Sequence, residues 1–162
     1  MNRDALARWV RAGLLTAVID GLFSSVLSAV FYHSTVARLF QGVASTLLGP
    51  GAIDGGTRPA LIGVLMHVCV AFSWSAVFLI LVSRIERLRR VLTSPWGVVK
   101  VAAVYGPCVW LVMSLLVIPI FRGPPTITYR WWIQLIGHFP FVGLPIVASI
   151  RRGVPRPGEA TD

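Results

Sequence analysis

Charge is what this chain lacks most. Charged residues fill 13% of its 162 positions, against an apolar share of 56% and a mean hydropathy of +0.76. A soluble domain devotes about a quarter of its residues to charge, because its surface must be hydrated. The shortage therefore excludes an ordinary water-soluble globule. Cysteine is also scarce. Cys69 and Cys108 stand far apart, form no CxxC and fall inside apolar runs. They read as small packing residues, which excludes a disulfide framework or a metal finger. Lysine is reduced to Lys100, an arginine preference that suits a GC-rich bacterial genome. Catalytic signatures are missing too. There is no GxSxG elbow, no HExxH spacing, and no GK[ST] after Asp54-Gly55-Gly56 to make a phosphate-binding loop. No enzyme is indicated.

Long uncharged runs are what the sequence does have. The clearest covers residues 60–82 and carries a single histidine, His67, with Arg84, Arg87, Arg89 and Arg90 directly after it. A membrane helix needs about 20 apolar residues at about 1.5 Å each. Four stretches meet that length: residues 12–31, 60–82, 96–120 and 130–150. The first is too long for a signal peptide, contains Asp20 and lacks a small-x-small cleavage site. Between the first two, Val36, Leu39, Phe40, Val43, Leu47 and Leu48 recur at helical spacing, with Arg38, Gln41 and Ser45 on the other side. This predicts an amphipathic helix over 35–48 lying in the membrane interface. Ser34 is its expected N-cap, and Gly49-Pro50-Gly51 its stop. The expected fold is all-α: one transmembrane domain over 1–150, a four-helix bundle with an extra interfacial helix. The Pro/Gly-rich tail, 151–162, is expected to be disordered.

Prolines shape the expected details. Pro95 opens the third span and Pro119 closes it, Pro107 in Tyr105-Gly106-Pro107 kinks it, and Pro140 and Pro145 bend the fourth. Trp131 and Trp132 form an interfacial belt at the start of the fourth span.

The net charge of +9 is carried by arginines at the ends of the spans. A bilayer accounts for that better than nucleic acid does, since no aromatic-interleaved basic surface is present. Arg3, Arg8, Arg11, Arg84, Arg87, Arg89, Arg90, Lys100, Arg151, Arg152 and Arg156 fall on one side. Arg38, Arg58, Arg122 and Arg130 fall on the other. The positive-inside rule then puts both termini in the cytoplasm. The two halves also echo each other: a Gly-Pro loop, an arginine, then a span with a histidine about two turns in, GVLMHV and QLIGHF. A pair of two-helix repeats would produce this pattern.

Three ionisable groups lie within the spans: Asp20, His67 and His138. Their depths agree to within about two helical turns. An uncompensated charge there costs about 2.5–3.5 kcal/mol on insertion scales, so Asp20 is expected to face the bundle and meet a polar group on another helix. The favoured reading is an interhelical polar clamp. A proton relay, cation site or substrate-polarising site is the functional alternative. Tyr105 is an accessory candidate that lies deeper. His67 and His138 would also suit bis-histidine haem, and with Asp20 an open zinc site. No second histidine pair or metal-ligand spacing supports either, and no cofactor is expected.

Larger blocks of the chain look familiar. The run ARLFQGVASTLLG, His67 in GVLMHVCVAF, the run YGPCVWLVMSLLVIP, and His138 in GHFPFVGLPIV together resemble a group of small four-span bacterial inner-membrane proteins. More loosely, the chain is similar to YagU-type inner-membrane proteins. The likeness covers roughly residues 12–150. It implies the fold and an inner-membrane location, and it matches the group's acid in the first span to Asp20. It implies no activity and no catalytic residue. Three functions follow as expectations: a structural or accessory membrane protein, a small oligomeric transporter or proton-coupled permeation unit, or a membrane haem or metal protein. The expected partners are the bilayer, a second copy of the chain or another membrane protein, and no nucleic acid.

Overall fold

The computed structural model describes residues 3–151; the tail read as disordered lies outside them. The described chain is helical throughout, without strands. We label its helices α1 (Arg3–Phe31), α2 (Val36–Leu48), α3 (Thr57–Arg84), α4 (Glu86–Val91), α5 (Pro95–Arg122) and α6 (Tyr129–Arg151). Helices α1, α3, α5 and α6 are long and apolar enough to cross a membrane. All four extend beyond the stretches that hydropathy alone marks.

The helix ends follow local chemistry. α5 starts at Pro95 behind Ser94, whose hydroxyl accepts from the Gly97 N–H at 2.9 Å. α2 is capped by Thr35, not Ser34: the Thr35 hydroxyl accepts from the Arg38 N–H at 3.0 Å. Ser34 lies one residue too early, and its N–H bonds back to the Ser28 carbonyl, 2.9 Å away. Between them His33, at φ +50°, takes the left-handed conformation that turns the chain from α1 into α2.

Pro119 acts differently from expectation. α5 does not stop at Pro119 but continues to Arg122 and ends at Gly123, at φ +76°. A π-helical turn over Met113–Val117 directly precedes Ile118-Pro119. Its wider loop shifts the carbonyl that the proline ring would otherwise strike. Pro140 likewise sits in a π-helical turn, Phe139–Gly143, so α6 widens there and runs on. A third such turn, Leu27–Phe31, closes α1. Pro107 lies inside helical backbone that is not interrupted.

Helix pairs form where side chains are missing. α5 and α6 touch backbone to backbone: a Cβ on Gly106 would collide with the His138 carbonyl, and one on Gly143 with the Ala102 carbonyl. α2 rests on α3 in the same manner, Gly63 facing the Phe40 carbonyl. α1 packs between α3 and α6.

The apolar core gathers toward the end that carries Arg84 to Arg90. Phe78, Leu92, Ile146, Val147 and Ile150 are fully buried there. Arg8 donates to the Ile150 carbonyl at 3.4 Å and Arg151 to the Thr93 carbonyl at 3.1 Å. These bonds bring the start of α1, the end of α6 and the α4–α5 connection together at one basic end.

The outer surface reverses the pattern of a soluble protein. Val104, Leu22 and Ile136 are 65%, 62% and 69% exposed, while Thr16, Ser75 and Ser114 are 2%, 0% and 3% exposed. α2 shows the same reversal on one helix. Gln41, Ala44 and Ser45 are buried, with Gln41 donating to the Gly56 carbonyl at 2.8 Å, while Leu47 and Leu48 are exposed. The polar face of α2 is therefore turned against the protein.

Candidate functional site

Asp20 and His67 meet where α1 crosses α3. His67 Nε2 lies 3.0 Å from the Ala17 carbonyl. A carbonyl only accepts, so Nε2 carries the hydrogen and Nδ1 is left facing α1. Nδ1 stands 4.0 Å from Asp20 Oδ2, an ion-pair separation when the ring is protonated and longer than a hydrogen bond. Gly21 leaves room for the ring: a Cβ there would lie 3.4 Å from Nε2. The Phe40 ring of α2 covers His67 edge-on, with centroids 5.9 Å apart. Both members of the pair are largely shielded, and Asp20 Oδ1 is buried with no hydrogen-bond partner.

His138 approaches from α6. Its Nδ1 donates to the Gln134 carbonyl of its own helix at 2.7 Å. Its ring leans on Trp110 of α5, centroids 4.9 Å apart. Asp20 interacts electrostatically with His138 and with His67. The two histidines are thus not equivalent: His67 ties α3 to α1, whereas His138 is anchored within α6 and offers its second nitrogen for other contacts. Tyr105 stands apart from this group. Its hydroxyl donates to the Trp74 carbonyl at 2.7 Å and so joins α5 to α3 nearer the basic end. Among the described residues, no three His, Cys, Asp or Glu side chains gather closely enough to hold a metal ion. Cys69 and Cys108 are exposed and free.

Sequence reading missed several residues that the fold brings to this site. The Ala17 carbonyl has no sequence signal at all. Phe40 reads as part of an apolar stripe, Trp110 as core and Trp131 as an interfacial ring. The i,i+4 spacing of Trp110 and Ser114, which puts two polar atoms on one face of α5, is the signal that points inward. Trp110 and Trp131 lie with ring centroids 6.2 Å apart, and neither indole N–H has a partner. At the end opposite the basic one, the Arg130 guanidinium sits 4.3 Å from the centre of the Tyr32 ring. Partial burial holds the Tyr32 phenol above its ordinary pKa, against the opposing pull of Arg130.

Comparison with protein-family models, with curated proteins and with solved structures returned no match.

Proposed function

We propose that this is a multi-pass protein of the bacterial inner membrane, with a structural or accessory role. In this reading both termini and the α4 connection face the cytoplasm, and α2 lies at the opposite surface with Leu47 and Leu48 in lipid. His67 clamps the first two spans together through the Ala17 carbonyl, with the Asp20 carboxylate beside it. The observation that carries the reading is the reversed surface, with large aliphatic side chains outside and serine and threonine inside. Water would penalise that surface at every exposed leucine, whereas a bilayer matches it. The gathering of arginines at one end supports the orientation. The resemblance to small four-span inner-membrane proteins agrees with it. Reporter fusions test the topology: a cytoplasm-dependent fluorescent tag should work at either terminus, and an export-dependent phosphatase at neither. Phosphatase activity at one terminus would sink the orientation.

A second reading, a small oligomeric proton-coupled permeation unit, draws on Asp20 Oδ1, a buried carboxylate oxygen without a partner. It requires pH-dependent flux in liposomes that Asp20→Asn abolishes. Flux that is absent, or that survives the substitution, supports the clamp.

A further inference from the structure

We infer that the half of the bundle away from the basic end holds a chain of bound water. It runs from Tyr32 and Arg130 down to Asp20 and Thr16, and it is closed toward the basic end. The inference rests on the membrane reading above and gives the Asp–His site a ligand, water, and with water an exchangeable proton.

Six buried side-chain atoms among the described residues have no hydrogen-bond partner: Tyr32 Oη, Trp131 Nε1, Ser114 Oγ, Trp110 Nε1, Asp20 Oδ1 and Thr16 Oγ1. They come from three helices and the α1–α2 connection, yet the contacts between their residues form a sequence. Arg130 covers Tyr32, and Trp131 follows Arg130 in the chain. Trp131 neighbours Trp110, and Ser114 lies one turn from Trp110 on α5. Trp110 packs on His138, and Gly137 beside it lies against the Phe23 ring of α1, three residues on from Asp20. Thr16 lies one turn from Asp20 on α1. None of the six lies farther toward the basic end than Thr16.

The chemistry of these atoms selects the occupant. Indole N–H groups only donate, an ionised carboxylate only accepts, and hydroxyls do both. An anion would suit the indoles and be repelled by Asp20. A cation would suit Asp20 and leave the indoles unpaired. Water serves both kinds of atom, and a buried water commonly makes about three such bonds. Lipid supplies no hydrogen bonds in its place. The groups acting on Asp20 are His138 of α6 and His67 of α3, and Phe40 closes the α2 side over His67. Toward the basic end the polar groups are already paired: Trp9 Nε1 donates to the Phe72 carbonyl, Tyr105 to Trp74 and Ser75 to Ala71. Phe78, Ile146, Val147 and Ile150 fill the rest.

Hydroxyl-radical footprinting of the unaltered protein in lipid nanodiscs tests this, since the radical forms from water and marks the side chains beside it. Trp110 should be oxidised at least tenfold faster than Trp74. Equal rates overturn the water chain. Cys69 and Cys108, on the outer surface, monitor the membrane reading separately. If both react like cysteines in open solution, lipid does not cover them, and the membrane reading falls together with the inference. If both are protected while Trp110 matches Trp74, only the inference falls. Direction is read from Ser114→Cys in a Cys69→Ser/Cys108→Ser background, using a small impermeant thiosulfonate on oriented liposomes. Modification from the Arg130 side is expected. Modification from the basic side, or from neither, overturns the one-sided access.

Discussion

The two ends of this bundle solve the same packing problem in opposite ways. Toward the basic end the helices close around Phe78, Leu92, Ile146, Val147 and Ile150, and the indole of Trp9 and the phenol of Tyr105 both reach backbone carbonyls of α3. Toward the other end, the indole N–H groups of Trp110 and Trp131 and the Ser114 hydroxyl are buried without hydrogen-bond partners. Two of the three π-helical turns, Leu27–Phe31 and Met113–Val117, lie in that half, and the third begins directly after His138. Wide turns of this kind release backbone groups and recur at functional sites. The contrast teaches that one half is built for tight closure and the other for polar contact, with Asp20 and His67 at the border.

Substitutions can break or sharpen that contrast. The largest loss is expected for Phe78→Ala, in the closed half. It should cost up to about 3 kcal/mol, the low end of the range for soluble cores, because on the proposed membrane reading lipid rather than water receives the separated helices. Equilibrium unfolding in mixed detergent micelles measures it, and a loss no greater than that of Ser114→Ala would erase the distinction between the halves. Gly106→Val comes next, at about 1–3 kcal/mol from overpacking, since its side chain meets the His138 carbonyl. A stable variant with unchanged α5–α6 cross-linking would contradict that contact.

At the border the effects shrink. His67→Ala removes the bond to the Ala17 carbonyl and should cost about 0.6–2 kcal/mol. Asp20→Asn keeps that bond and should change stability by less than about 0.5 kcal/mol. If Asp20→Asn proves the more damaging, the ion pair and not the carbonyl bond holds α1 to α3. The smallest effect belongs to Ser114→Ala, within about 0.5 kcal/mol, because no protein partner is lost. Tyr105→Phe, which does lose a partner, should cost about 0.5–1.5 kcal/mol. A reversed order in the same assay would show that hydrogen bonding does not distinguish the two halves.

Much of this architecture was legible in the chain. Hydropathy and length locate the four long helices, and the glycine stop at Gly49 works as turn chemistry requires. The misreadings have local causes. Ser34 loses the cap to Thr35 because α2 begins one residue later than its apolar stripe suggests, at Val36. Pro119 fails to end α5 because a wide turn absorbs its ring. No periodicity rule anticipates a π-helical turn. The amphipathic stripe of α2 was visible, but a stripe does not say which face meets protein. Only the contact of Gly63 with the Phe40 carbonyl, together with the burial of Gln41 and Ser45, reveals that. The depths of Asp20, His67 and His138 could be compared by counting residues. Which nitrogen each imidazole offers depended on the Ala17 and Gln134 carbonyls, and main-chain acceptors leave no trace in a sequence.

The glycine contacts carry one more consequence, for motion. Gly106 and Gly143 fix α5 to α6 at backbone distance, and Gly63 fixes α2 to α3. Neither pair can open without first losing its closest contacts. What remains adjustable is the seam between them, where α1 meets α6 through side chains: the Phe23 ring stacks on Phe141 with centroids 4.1 Å apart, and Asp20 faces His138 only through space. The bundle is thus a pair of stiff plates. Spin-label distances should therefore vary less within each plate than across the side-chain seam between α1 and α6.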